Sequence, residues 1–143
     1  MKTYLVAYFF TLVAFLVIDF IWLSTMASRL YRPAIGDLLA DNFRLAPAIV
    51  FYLIYAAGLT FLAVRPALIS GEWTTALLYG AAVGFMAYAT YDLTNQATLK
   101  NWSTTLTVAD LLWGTFVSAA AAVIGYLVTV RLVGPLENSA GLS

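Results

Sequence analysis

The chain has 143 residues, of which 63% are hydrophobic and 10% are charged, with seven basic and seven acidic residues that leave no net charge. A soluble domain carries roughly 25% charged residues and cannot hide so much apolar side chain, so the composition indicates a membrane protein. This balanced charge does not predict the positively charged surface that a nucleic-acid partner requires. Because the chain lacks the His and Cys ligands on which haem and structural zinc sites depend, we expect neither a metal nor a cofactor.

Four apolar runs are long enough for membrane-spanning helices, which need around 20 residues each. Lipid offers no partner to bare backbone groups, so helices are the default structure for these runs. The first run begins directly after Lys2 and is too long for the apolar region of a signal peptide, so we expect it to be retained. The predicted spans cover residues 3–27, 45–64, 74–95 and 106–133.

Polar segments connect these runs. In the first connection, residues 28–44, Pro33 and Gly36 break the chain early, and residues 37–43 favour a short helix lying in the membrane interface, with a plain polar loop as the alternative. In the second connection, Arg65-Pro66 ends the span and Gly71 indicates a turn. Lys and Arg are nearly balanced between the two membrane faces, so the orientation stays open.

The predicted fold is therefore all-α. We expect an integral membrane four-helix bundle over residues 1–133, forming one domain with a short interfacial segment between the first two spans, followed by a polar tail over residues 134–143. Small residues cluster in the third and fourth runs, where they let helices approach closely. Helix packing within one bundle is the simplest interpretation, and self-association into a homodimer through the same faces is the alternative.

Three of the four runs carry an acidic residue inside an apolar stretch, namely Asp19, Asp92 and Asp110. The first and third spans run in one direction and the fourth runs back, so all three carboxyls are predicted to lie toward the membrane face that bears the first and third connections. A charged Asp in a bilayer costs roughly 2.5–3.5 kcal/mol on insertion scales, so three need pairing, water or protonation. We expect at least one of them to be neutral at neutral pH.

Each acid is followed three residues later by a side chain with an N–H donor, which lies on the same helix face. These side chains are Trp22 after Asp19, Asn95 after Asp92 and Trp113 after Asp110. Lys100 follows the third run, where it either pairs with one of the carboxyls or extends to the interface.

We predict that these seven residues form a ligand-binding or proton-binding site, because ionisable residues inside membranes are functional by default. The alternative is structural: polar residues that fix helix register, and Trp side chains that belong to an interfacial belt. No residue pattern identifies a catalytic group.

At these residues the chain resembles bacterial predicted membrane proteins classified as domain of unknown function 2177. The matching stretches include the first run with its VIDFIW segment, YATYDLTNQATLKNW and ADLLWGT. The resemblance implies a small, multi-pass protein of the bacterial inner membrane. It implies no activity, substrate or catalytic residue.

Three functions are consistent with the polar layer. The first is binding or transport of a small or lipid-soluble ligand, in which carboxyls exchange protons and a dimer encloses the path. The second is a membrane-embedded enzyme that uses paired Asp residues as acid and base on a lipid-soluble substrate. The third is an accessory subunit of a membrane complex. We favour the first, with membrane lipid and a lipid-soluble ligand as partners and no nucleic acid.

Overall fold

A computed structural model describes residues 1–41 and 44–136 of the chain, and it is built from four long helices. We label them α1 (Lys2–Leu38), α2 (Leu45–Ser70), α3 (Trp73–Thr98) and α4 (Thr104–Val133). The predicted all-α fold with four helices is confirmed.

Three of the helices, α1, α2 and α4, are long and apolar enough to cross a membrane. The third helix is not among them, because its second half carries Tyr88, Tyr91 and Asp92 beside small residues that add little hydropathy. That α3 spans the bilayer over residues 74–95 stays a prediction. The polar tail was predicted over residues 134–143, and residues 137–143 lie outside the described part of the chain.

The helices form a ring, because each packs against its neighbours in the chain and α4 closes the ring against α1. The most extensive interface joins α3 to α4. Within α2, the segment Leu45–Leu59 packs against α1, whereas the segment that begins at Thr60 packs against α3 and also contacts α1 and α4. The first part of α2 therefore stands away from α3, on the side of the bundle where the first and third connections lie.

Helix α1 continues well beyond the predicted end at residue 27. A wider turn with i→i+5 hydrogen bonds covers Ala27–Tyr31, and helical structure resumes over Arg32–Ile35. A proline ring clashes with the carbonyl four residues earlier, and for Pro33 that carbonyl lies in the wider turn, which relieves the clash. The prediction that Pro33 breaks the helix is wrong. The short helix over 37–43 is also not formed, since residues 39–41 are not helical and residues 42 and 43 lie outside the described residues.

Helix α2 also contains a wider turn that is followed by an Arg-Pro pair. A second i→i+5 turn covers Thr60–Val64, and Pro66 occupies the first turn of the segment Arg65–Ser70. Arg65-Pro66 therefore does not end the helix, contrary to our prediction, and α2 runs to Ser70. The turn that follows uses Gly71, whose φ of 75° is the left-handed conformation that glycine adopts at helix ends.

The interface between α3 and α4 is a ladder of facing residues spaced four apart on each helix. Residues four apart share a helix face, and glycine on one helix lets the backbone of the other approach closely. A Cβ atom added to Gly84 would collide with the Gly114 carbonyl oxygen and would lie 2.6 Å from Ser118 Oγ. The facing pairs are Gly80 with Ala122, Gly84 with Ser118, Tyr88 with Gly114, and Asp92 with Asp110.

Candidate functional site

A cavity of about 350 Å³ lies inside the bundle at the level of Asp19 and Asp110, and all four helices contribute to its wall. Its volume falls in the range of roughly 300–1,000 Å³ that is usual for small-molecule sites. Most of the wall is aromatic or apolar. The lining residues are Asp19, Leu23, Tyr31, Phe51, Tyr52, Ala87, Tyr88, Tyr91, Asp110 and Trp113.

Asp19 is held in the cavity wall by hydrogen bonds to both carboxylate oxygens. The Tyr52 hydroxyl donates to Oδ2 at 2.6 Å, and Trp113 Nε1 donates to Oδ1 at 3.1 Å. The donors come from α2 and α4, so the carboxylate of α1 joins three helices. Its partners are neutral, and 7% of the residue's surface stays exposed. Hydrogen bonds therefore satisfy both carboxyl oxygens of Asp19, with no ion pair among the described residues.

Asp110 and Trp22 share one partner, the Tyr31 hydroxyl. This hydroxyl donates to Asp110 Oδ1 at 2.8 Å and accepts from Trp22 Nε1 at 2.9 Å. The Trp22 and Trp113 rings stack in parallel at 4.3 Å, which ties the Tyr31 network to the Asp19 network. Six side chains thus form one connected unit that joins α1, α2 and α4: Asp19, Trp22, Tyr31, Tyr52, Asp110 and Trp113.

Asp92 lies behind the cavity wall, in the last pair of the ladder between α3 and α4. It is fully buried, and within the described residues neither oxygen has a hydrogen-bond donor in reach. Asp110 is the acidic residue that faces it across the α3–α4 interface. Two ionised carboxylates have no donor to share, so a hydrogen bond between them requires a proton on one. Asp92 thus contacts the site through Asp110 and does not line the cavity.

Of the seven predicted site residues, four belong to the connected unit: Asp19, Trp22, Asp110 and Trp113. Trp22 stacks behind the cavity wall, and Asp92, Asn95 and Lys100 also do not line the cavity. Asn95 is partly buried one turn beyond Asp92, and Lys100 is exposed in the turn after α3. Of the alternatives for Lys100, pairing with Asp92 is not formed, because the Asp92 oxygens have no hydrogen-bond partner in the described ranges.

The sequence reasoning missed the two tyrosine hydroxyls that donate to the carboxyls, those of Tyr31 and Tyr52. Tyr52 is seven residues after the start of α2, and Asp19 is seven residues before Met26 in α1. Because α1 and α2 are antiparallel, these two positions lie at the same depth, which was a usable signal for their contact. Tyr31 was not recognised as a site residue, because the first span was predicted to end at residue 27. Once the helix is continued through the wider turn, the Tyr31 hydroxyl reaches back to Trp22.

Removing the Tyr52 hydroxyl tests whether the Asp19 network stabilises the bundle. A Tyr52→Phe variant keeps the ring and deletes the donor to Asp19, so we expect the free energy of unfolding to fall by about 1 to 2 kcal/mol. The measurement is thermal or denaturant unfolding in detergent micelles. Tyr79→Phe is the matched control, because Tyr79 is 50% exposed on α3 and does not line the cavity. Equal stability of the two variants would contradict the role assigned to Tyr52.

The two most exposed lining residues, Phe51 and Tyr91, indicate that the cavity opens between α2 and α3. Phe51 on α2 is 46% exposed and Tyr91 on α3 is 55% exposed, although both line the cavity. These residues stand where the segment Leu45–Leu59 diverges from α3. The opening therefore follows from the way α2 is divided between α1 and α3.

The apolar helical bundle, with polar groups gathered inside it and apolar side chains outside, defines a helical membrane protein. The chain belongs to the family described as Predicted membrane protein (DUF2177), which residues 4–127 match. The resemblance noted from the first run and from YATYDLTNQATLKNW is thereby confirmed. No curated protein and no solved structure matches the chain.

Proposed function

We propose that this protein binds a small, lipid-soluble ligand in the cavity between its four helices. The observation that carries the proposal is an aromatic-walled cavity of about 350 Å³ whose polar groups are held in place by hydrogen bonds. Largely apolar pockets with a few fixed polar groups are the usual form of a small-molecule site.

The side opening supports a ligand that arrives through the membrane. Asp92 is six residues before Thr98 and Asp110 is six residues after Thr104, which corresponds to about 9 Å along each helix axis. If the helices cross a bilayer, the opening between Phe51 and Tyr91 then faces the outer part of the acyl chains. A lipid-soluble molecule reaches such an opening by lateral diffusion.

The fixed polar groups support selective binding. Asp19 is oriented by donors from two other helices, and Asp110 is oriented by Tyr31. Both carboxyls line the cavity, so a ligand can interact with them without first breaking the bundle apart. Binding groups held by packing and by supporting hydrogen bonds lose little entropy when a ligand arrives.

Binding is favoured over complete transport, because the described opening leads to one side of the bundle in one half of the bilayer. Transport in a chain of four helices needs a second path, for example one formed with a second copy of the protein. We propose the bacterial inner membrane as the compartment, on the basis of the family resemblance and the helical architecture.

The experiment fills the cavity and asks whether a co-purifying small molecule is lost. Ala87 lines the cavity on α3, so a tryptophan in its place occupies the volume that the ligand needs. We expect mass spectrometry of the purified full chain to detect a low-mass species with the native protein and to find it depleted about tenfold or more in Ala87→Trp. That loss corresponds to about 1.4 kcal/mol of binding free energy.

Ala82→Trp is the matched control, because Ala82 is exposed on the same helix and does not line the cavity. The control is expected to retain the co-purifying species at the native level. Retention of the species in both variants, with both proteins folded, would contradict a binding site in this cavity.

A further inference from the structure

Resting on the proposed function, we infer that the ligand is an amphipathic organic cation. Its charged head, of the alkylammonium type, would lie against Asp19 among the aromatic rings, and its apolar body would extend toward the opening between α2 and α3. Three independent features of the cavity support this chemical class: its charge, its aromatic wall and its exit.

The ionisable carboxyls of the cavity wall have no basic side chain beside them among the described lining residues. The lining residues include two Asp, and within the described chain they include no Lys or Arg. Both oxygens of Asp19 accept hydrogen bonds from neutral donors, Tyr52 and Trp113, which orient the carboxylate without neutralising it. A charge inside a membrane bundle is costly unless it is paired. A cationic ligand would supply the missing partner.

The wall suits an organic cation better than a metal ion. Hard metal ions such as Ca²⁺ take six to eight oxygen ligands, whereas this wall is formed largely by aromatic rings. The faces of Tyr, Trp and Phe rings attract cations with about 0.5 to 2 kcal/mol each, and they recognise alkylammonium groups in particular. Six aromatic side chains line the cavity with Asp19 and Asp110: Tyr31, Phe51, Tyr52, Tyr88, Tyr91 and Trp113.

The exit accommodates an apolar body. Phe51 and Tyr91 flank the opening and are about half exposed, so a ligand that leaves the cavity passes between two aromatic rings into the apolar surroundings. A charged head matches the acidic side chains inside the cavity, and a lipid-soluble body matches the apolar surroundings at its opening.

The test compares a cation with its neutral analogue of the same shape. The probes are phenethyltrimethylammonium and the hydrocarbon in which carbon replaces its nitrogen, added to the full chain in lipid nanodiscs. Trp113 lines the cavity and stacks on Trp22, so tryptophan fluorescence reports occupancy. We expect the cation to bind at least about tenfold more tightly, as a charge-assisted contact of about 1.4 kcal/mol predicts.

The same measurement on Asp19→Asn assigns the preference to one carboxylate. This variant keeps a hydrogen-bond acceptor for Tyr52 or Trp113 and removes the charge, so cation affinity is expected to fall about tenfold while affinity for the hydrocarbon is unchanged. Glu72→Gln is the matched control, because it removes one negative charge from an exposed turn far from the cavity wall. It is expected to leave both affinities at the native level.

A second variant keeps the inference testable if Asp19→Asn does not fold. Tyr91→Leu removes one half-exposed ring from the opening and is expected to weaken the cation by about two- to fivefold more than the hydrocarbon. Equal affinities of the native protein for the two probes would overturn the cation inference and leave the proposed binding site intact. Binding of both probes that survives Ala87→Trp would overturn the inference and the proposed function together.

Discussion

A Gly84→Leu substitution is expected to destabilise the bundle by about 3 kcal/mol or more, the largest effect on folding that we predict. Gly84 lies where the backbone of α4 comes close to α3. A Cβ atom there would collide with the Gly114 carbonyl oxygen and would also lie within 2.7 Å of the Ser118 side chain. Backbone cannot rotate out of the way as a flexible side chain can, so the two helices must move apart along the ladder. The measurement is the unfolding midpoint in detergent, together with the yield of folded protein.

Gly58→Leu is the matched control, because it adds the same side chain to a helical glycine in open space. A Cβ atom at Gly58 meets nothing within 4 Å. Replacing a helical glycine by a good helix former is worth about 1 kcal/mol, so this variant is expected to be as stable as the native protein or slightly more stable. If the two leucine variants unfolded at the same midpoint, the close approach of α3 and α4 would not be a feature of the protein.

The gathering of the acids at one level could be predicted because it depends only on the number and direction of the helices. Asp92 and Asp110 lie six residues from the facing ends of α3 and α4, and Asp19 lies seven residues before Met26, where the wider turn of α1 begins. Antiparallel order brings these positions to one level. The three-residue spacing likewise predicted Trp22 and Trp113 beside the carboxyls. Neither inference required knowledge of side-chain packing.

Rotation of each helix about its own axis could not be predicted, because apolar residues in a membrane protein face lipid as readily as they face the core. On α3, Phe85 and Leu93 are exposed at 54% and 51%, whereas on α4 Val117 is fully buried. The usual apolar stripe that orients a helix in a soluble protein is therefore missing. For this reason the sequence did not distinguish the cavity-lining Tyr88 from the buried Asp92.

A usable signal for Asp92 was nevertheless present in the small residues. Ala76, Gly80 and Gly84 are buried at intervals of four, and the same interval continues through Tyr88 to Asp92. Small residues at this spacing mark the face that packs against a neighbouring helix. Two further intervals of four residues lead from Gly84 to Asp92. This spacing assigns Asp92 to the α3–α4 interface and not to the cavity.

The extent of α1 was the other feature beyond the reach of sequence reasoning. Arg29, Arg32 and Pro33 are ordinary signs of a span that has ended, and only the i→i+5 turn over Ala27–Tyr31 reconciles them with a continuing helix. The recurrence of Arg-Pro directly after the similar turn of α2 suggests a rule for this chain. Here an Arg-Pro pair marks a helix that widens for one turn and then continues.

The second large effect concerns the proton between Asp92 and Asp110. An Asp92→Asn variant is expected to abolish the infrared absorption of a protonated carboxyl at neutral pH while leaving the fold intact. The reason is that Asp92 is fully buried without a donor among the described residues, and only a shared proton gives the facing carboxyls a hydrogen bond. The asparagine amide replaces that proton, since it can donate to the Asp110 carboxylate in the same place.

Two further variants separate this explanation from general effects of mutation. Asp37→Asn is the matched control, because Asp37 is exposed near the end of α1, and it is expected to leave the absorption unchanged. Asp92→Leu deletes the hydrogen bond that asparagine preserves, so we expect it to lower the free energy of unfolding by about 1 to 2 kcal/mol relative to Asp92→Asn. An absorption that persisted in Asp92→Asn would assign the proton to another carboxyl. A leucine variant as stable as the asparagine variant would mean that no hydrogen bond joins the two acids, and the last pair of the ladder would then be held by packing alone.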